Sequence, residues 1–149
     1  MKWITREHPV IDRIACPWLV RRWIDREPQF LFVPKADVFA VAEREGAIAY
    51  DIPGAELSHV GEHCSFDTFL ARYGLDDPVL AKLAVIVRGA DTDRLDLAPQ
   101  CAGLLAVSLG MGRIAPNDHA LLDAMFPIYD ALYAWARDVP AERHAWRPA

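Results

Sequence analysis

Paired cysteines are missing from this chain of 149 residues. Cys16, Cys64 and Cys101 are odd in number and far apart, with no Cys-x-x-Cys spacing. That excludes a disulfide framework and a zinc ribbon as readings of the sequence, and it fits reduced thiols in a cytosol. A long apolar run is missing too, since no stretch reaches the ~20 residues a membrane span requires. The N-terminus, MKWITREHPVIDR, carries charge and proline where a secretory signal needs an apolar core. The expected location is therefore cytoplasmic, with no membrane partner. Basic charge is in deficit: 16 Lys and Arg face 21 Asp and Glu, a net charge of -5. A freestanding nucleic-acid module normally carries a basic face, so no direct nucleic-acid binding is expected. Internal repeats and low-complexity tracts are absent as well.

What is present suffices for one core, with 53% hydrophobic residues in a length typical of one domain. A single domain is expected over 1–139, followed by a flexible tail over 140–149, PAERHAWRPA. Trp3 to Arg6 reads as a short strand, PWLVRRWID as a helix of about two turns beginning at Pro17, and QFLFVP as a buried strand. KADVFAVAERE reads as a helix stopped by Gly46, and GAIAYDIP as a third strand. After a loop rich in turn residues, Ser65 is placed to cap a helix. Asp77-Pro78 opens another helix, with Gly89 as its stop. The last third reads as two helices, 99–112 and 117–138, with a kink predicted at Pro127. The fold class is α/β (α+β): a small sheet of about three strands, and a C-terminal half rich in helix.

Three stretches carry chemistry. In VIDRIACPWLVRR, a helix starting at Pro17 puts Cys16 at its N-cap, where free amides and the dipole lower a thiol pKa. Arg13, Arg21 and Arg22 would add positive charge for an oxyanion, while the plainer reading makes Cys16 a small buried hydrophobe. Cys16 to Arg22 also matches Cys-x5-Arg, but an apolar loop without glycine cannot wrap a phosphate, so that match is accidental. In ELSHVGEHCSFDTFL, His59 to His63 fits His-x-x-Glu-His, yet Gly61 argues against the helix a zinc protease needs. His59 and Glu62 are instead expected to converge on a metal ion from a turn, with Asp51, Asp91 or His119 brought from elsewhere. Mixed imidazole and carboxylate donors suit zinc, iron or manganese, and adding Cys64 would favour zinc. The competing reading is a polar loop whose side chains bond its own amides. In VRGADTDRLD, Arg88 lies at a helix end and Asp91 is either a ligand or its partner.

The strings DRIACPWLVRRWID, GAIAYDIPGAELSHVGEHCSFDTFLARYG and VRGADTDRLDLAPQCAGLLAVSLG together resemble the chromate resistance protein ChrB family, in its C-terminal domain, over about Trp3 to Arg137. The chain is similar to a standalone version of that domain. The resemblance implies a role in chromate resistance or in sensing chromate or a related oxyanion, and implies no settled reaction. The residues that match its motifs are Arg13, Cys16, Arg21, Arg22, His59, Glu62, Cys64, Asp67, Arg88 and Asp91. The leading expectation is a domain that binds a divalent metal ion through His59 and Glu62, completed by Asp91 or His119. An oxyanion such as chromate would sit at Arg13, Arg21 or Arg22. The alternative is a metal-dependent or Cys16-dependent redox or hydrolytic enzyme.

Overall fold

A computed structural model describes residues 1–149. Three parallel strands form the sheet: β1 (Lys2–Arg6) lies in the centre, paired on one side with β2 (Gln29–Val33) and on the other with the two-residue β3 (Ile48–Ala49). The register sets Trp3 opposite both Phe30 and Ile48. β1 is buried over Trp3, Ile4 and Thr5, and alternation sends its side chains to different layers. Ile4 packs with Val38 and Ile52 under α2 (Val38–Glu45), while Trp3 joins the main core on the other face. The α2 helix ends as its sequence predicts, at Gly46 in the left-handed region (φ 62°).

The remaining helices cover the Trp3 face. They are α1 (Asp12–Leu19), α3 (Ser65–Arg72), α4 (Pro78–Asp91), α5 (Cys101–Ile114) and α6 (Asp118–Asp138). Trp18, Phe66, Phe69, Leu80, Leu83, Met125 and Tyr129 are buried among them. Both α4 and α6 begin with a side-chain cap. Asp77 accepts from the Val79 amide at 2.8 Å, and Asn117 accepts from Ala120 at 2.9 Å. The α6 helix continues through Pro127 as one element, and residues 142–149 are exposed without regular structure.

The third strand holds only Ile48 and Ala49 of the expected GAIAYDIP, and three helix boundaries also differ from expectation. α1 begins at Asp12 rather than Pro17 and runs through the proline, then widens into a π-helical turn over Val20–Ile24. Cys16 is consequently interior to the helix and fully buried, not its N-cap. The helix start is held by Ile11 at φ 39°, a costly conformation for a β-branched residue. α3 is capped at Cys64, not Ser65: the Asp67 carboxylate accepts from the Cys64 amide at 3.0 Å, which frees the Ser65 hydroxyl. α4 passes through Gly89 to Asp91. Gly89 is there for close packing, since a Cβ would lie against Cys101 Sγ and 2.7 Å from the Arg94 carbonyl.

Candidate metal centre

Open α/β sheets place ligands at the carboxyl ends of their strands, where successive crossovers leave a strand in opposite directions. In the order β2-β1-β3 that point lies between β1 and β3. Arg6 ends β1, Asp51 follows β3 with a φ of 49°, and α1 starts from the β1 loop with Asp12 and Arg13. The His59 loop and the end of α4 close over the same place.

The centre of the arrangement is one imidazole nitrogen. His59 Nε2 lies 3.1 Å from Asp91 Oδ2, 3.3 Å from Asp51 Oδ1 and 3.4 Å from Asp12 Oδ2. A single N–H can bond well to one of these oxygens at a time, so the carboxylates otherwise face each other away from water. One donor atom each from Asp12, His59 and Asp91 lie within 4.8 Å of one another. Donors held at about 2.1 Å around an octahedral ion sit about 3 Å apart when adjacent, so the observed separations fit the residues around one cation.

Each carboxylate is fixed by a further bond. Asp12, fully buried, accepts from the amides of Ser65 at 2.6 Å and Phe66 at 3.3 Å, and so anchors the N-terminus of α3. Asp51 takes the Ser65 hydroxyl at 2.7 Å and the Arg6 guanidinium at 3.2 Å, with Arg13 Nε at 3.5 Å. Asp91 Oδ1 accepts from the Asp12 amide at 3.3 Å. These surroundings divide the acidities. Burial raises Asp12, and burial with the Asp12 and Asp51 charges pushes Asp91 up to about 7. Burial acts on Asp51 in the same direction, but His59, Ser65 and the two guanidiniums outweigh it and hold that carboxyl low. The hydrogen bonds to Asp12 and Asp51 raise His59 to about 10.

Of the residues expected from sequence, the structure brings together His59, Asp91, Asp51 and Arg13. Glu62 is not among them. Residues 60 to 63 form a tight turn, with Val60 and His63 bonded backbone to backbone and Gly61 at φ 60°, and Glu62 is exposed at its tip. His119 is exposed on α6, its ring edge-on to Phe32 at 5.4 Å. Arg21 stacks over Phe126, and Arg22 makes a fork with Asp130, bonding through Nε at 2.9 Å and through Nη2. Neither reaches the centre. Arg88 pairs with Asp67 through two bonds of 3.0 Å rather than with Asp91. Cys64 is buried with its sulfur 3.4 Å from Asp67, and burial raises both its thiol and that of Cys16. Neither sulfur is among the donor atoms that come together.

Sequence reasoning missed Asp12, Arg6 and Ser65. The available signal for Asp12 was its position in PVIDRIACPW, a charge enclosed by residues that ask to be buried. Beside the cluster opens a cleft of about 450 Å³ lined by Arg6, Val10, Arg13, Ser58, His59 and Leu105 among others.

Residues 3–136 match the family described as ChrB, C-terminal domain. A curated relative, Protein ChrB of Cupriavidus metallidurans (strain ATCC 43123 / DSM 2839 / NBRC 102507 / CH34), is 38% identical over 133 residues, which cover 89% of this chain and 40% of the relative. The chain thus spans about two fifths of the length of that relative. No solved structure matches it significantly. With the match extending over nearly every element that builds the site, the chain belongs to the ChrB C-terminal domain family.

Proposed function

We propose that this domain serves chromate resistance by binding one divalent metal ion at Asp12, His59 and Asp91, with Asp51 beside them, and by seating an oxyanion such as chromate next to it at Arg6 and Arg13. The observation that carries the reading is the approach of three carboxylate oxygens to a single imidazole nitrogen at 3.1–3.4 Å. One nitrogen and several oxygen donors without sulfur suit manganese, iron or zinc. Family membership supports the chromate connection.

Charge orders the two events. With His59 protonated, the three carboxylates are balanced by that imidazolium and the Arg6 and Arg13 guanidiniums, so net charge offers an anion no attraction. A divalent ion that displaces the His59 proton leaves one net positive charge, after which the planar guanidinium forks can bond a tetrahedral oxyanion. The anion is therefore expected to bind more tightly after the metal.

The test is elemental analysis of purified protein reconstituted with manganese, iron and zinc, beside His59→Ala and Asp91→Asn, followed by calorimetric titration with chromate and sulfate. A metal ratio near one that collapses in both folded variants, with anion binding tighter in the loaded protein, is the expected result. A wild type that takes up none of the three metals sinks the proposal.

A further inference from the structure

The concave surface does not end at the metal cluster. A second cavity, of about 540 Å³, lies between the β1–α1 loop and the α5–α6 turn, and Val10 lines both it and the cleft beside His59. α5 runs along both. Leu105 faces the cleft, while Ser108, Leu109 and Gly112 line the second cavity. Positions three, four and seven residues apart share one helix face, so these side chains form one continuous wall. Each cavity falls within the roughly 300–1,000 Å³ that organic ligands occupy, far more than a bare tetrahedral oxyanion fills.

Two polar groups along this path lack partners. Arg6 Nε, at the head of the cleft, is buried without an acceptor, although the same guanidinium bonds Asp51 through Nη2. The Ser108 hydroxyl, 1% exposed, has no partner within the chain. Buried donors in folded proteins are normally satisfied, and of the four side-chain atoms left without a partner, on Thr5, Arg6, Tyr50 and Ser108, two stand at the cleft and in the cavity beyond it. Apolar surface from Val10 and Leu105 lies between them.

We propose that the site takes an elongated organic anion, a carboxylate or phosphate head at Arg6 and Arg13 carrying an apolar chain that passes over Val10 and Leu105 and ends in a polar group beside Ser108 in the cavity along α5. This rests on the anion seat described above and names the class of molecule that fills it.

The experiment compares hexyl phosphate with inorganic phosphate by calorimetric titration of the reconstituted protein, with the metal ratio measured on the same samples. Each methylene buried is worth roughly a fourfold gain, so hexyl phosphate is expected to bind at least about tenfold more tightly. Gly112→Trp, where a Cβ meets nothing within 4 Å, should fill the second cavity and abolish the gain while leaving inorganic phosphate binding unchanged. Gly103→Trp is equally open but lines neither cavity, and should keep the gain. Equal affinity for the two phosphates in loaded protein, or a gain that survives Gly112→Trp, overturns the inference and leaves the metal centre standing. A gain removed by Gly112→Trp in protein that takes up no metal supports the groove and overturns the metal reading instead.

Discussion

At the scale of single residues, environment separates groups the sequence presents as equals. Cys16 and Cys64 both precede helix signals in the sequence, but neither is activated. Cys16 is inside α1 with no exposure, and burial first, then the charge of Asp12, raises its thiol well above the ordinary value. A thiolate is the reactive form, so iodoacetamide at about pH 8 should label neither Cys16 nor Cys64 in native protein and both after denaturation, as read by mass spectrometry. Rapid labelling of Cys16 in folded protein would restore it as a candidate nucleophile. His59 behaves oppositely, because its carboxylate neighbours keep its proton on up to about pH 10. A metal ion must displace that proton, so its apparent affinity should rise from about pH 6 to about pH 8, with protons released on binding. Calorimetry in two buffers of different ionisation enthalpy measures the release, and pH-independent uptake without it would place the metal elsewhere.

At the scale of elements, the centre depends on where helices start and stop. Asp12 reaches the site because α1 starts five residues before Pro17, and it binds the first amides of α3 as a cap supplied from another helix. Asp91 reaches it because α4 continues past Gly89. Gly89→Ala would force a Cβ against Cys101 Sγ and the Arg94 carbonyl, with an expected cost of about 1–3 kcal/mol. Displacement of the end of α4 should also weaken metal uptake, which separates this substitution from an ordinary packing defect. Denaturation curves and metal ratios on the same preparation check both effects. The boundaries were misread because local signals, a proline as helix start and a glycine as helix stop, describe isolated helices. In the folded chain α1 starts upstream at Asp12, whose carboxylate binds the α3 amides, so Pro17 falls inside the helix, and Gly89 is required by the approach of α5.

For the whole molecule, the centre joins parts far apart in sequence: the loop after β1, the end of β3, the His59 turn and the end of α4. A ligand that holds all four together stabilises the folded state by mass action, about 2.7 kcal/mol when present at a hundred times its dissociation constant. A thermal midpoint raised by several degrees with manganese or zinc is expected for the wild type, and no shift for His59→Ala. Equal shifts in both proteins would show binding at another place. No helix is long and apolar enough to cross a membrane, in keeping with the absence of such a run in the sequence.

The sequence by itself determined the family, the order of strands and helices, the helix opening at Asp77-Pro78 and the stop at Gly46, because each is written in neighbouring residues through hydrophobic period and turn chemistry. It also pointed to His59, Asp51, Asp91 and Arg13, whose residue types announce ligands. Only the tertiary structure decided which ligand types meet. Glu62, three positions from His59, is turned to solvent, whereas Asp12, in a different element altogether, lies 3.4 Å from its ring nitrogen. The physical reason is that a turn fixes the direction of its own side chains locally, while a shared centre is fixed by how strands and helices pack across the chain.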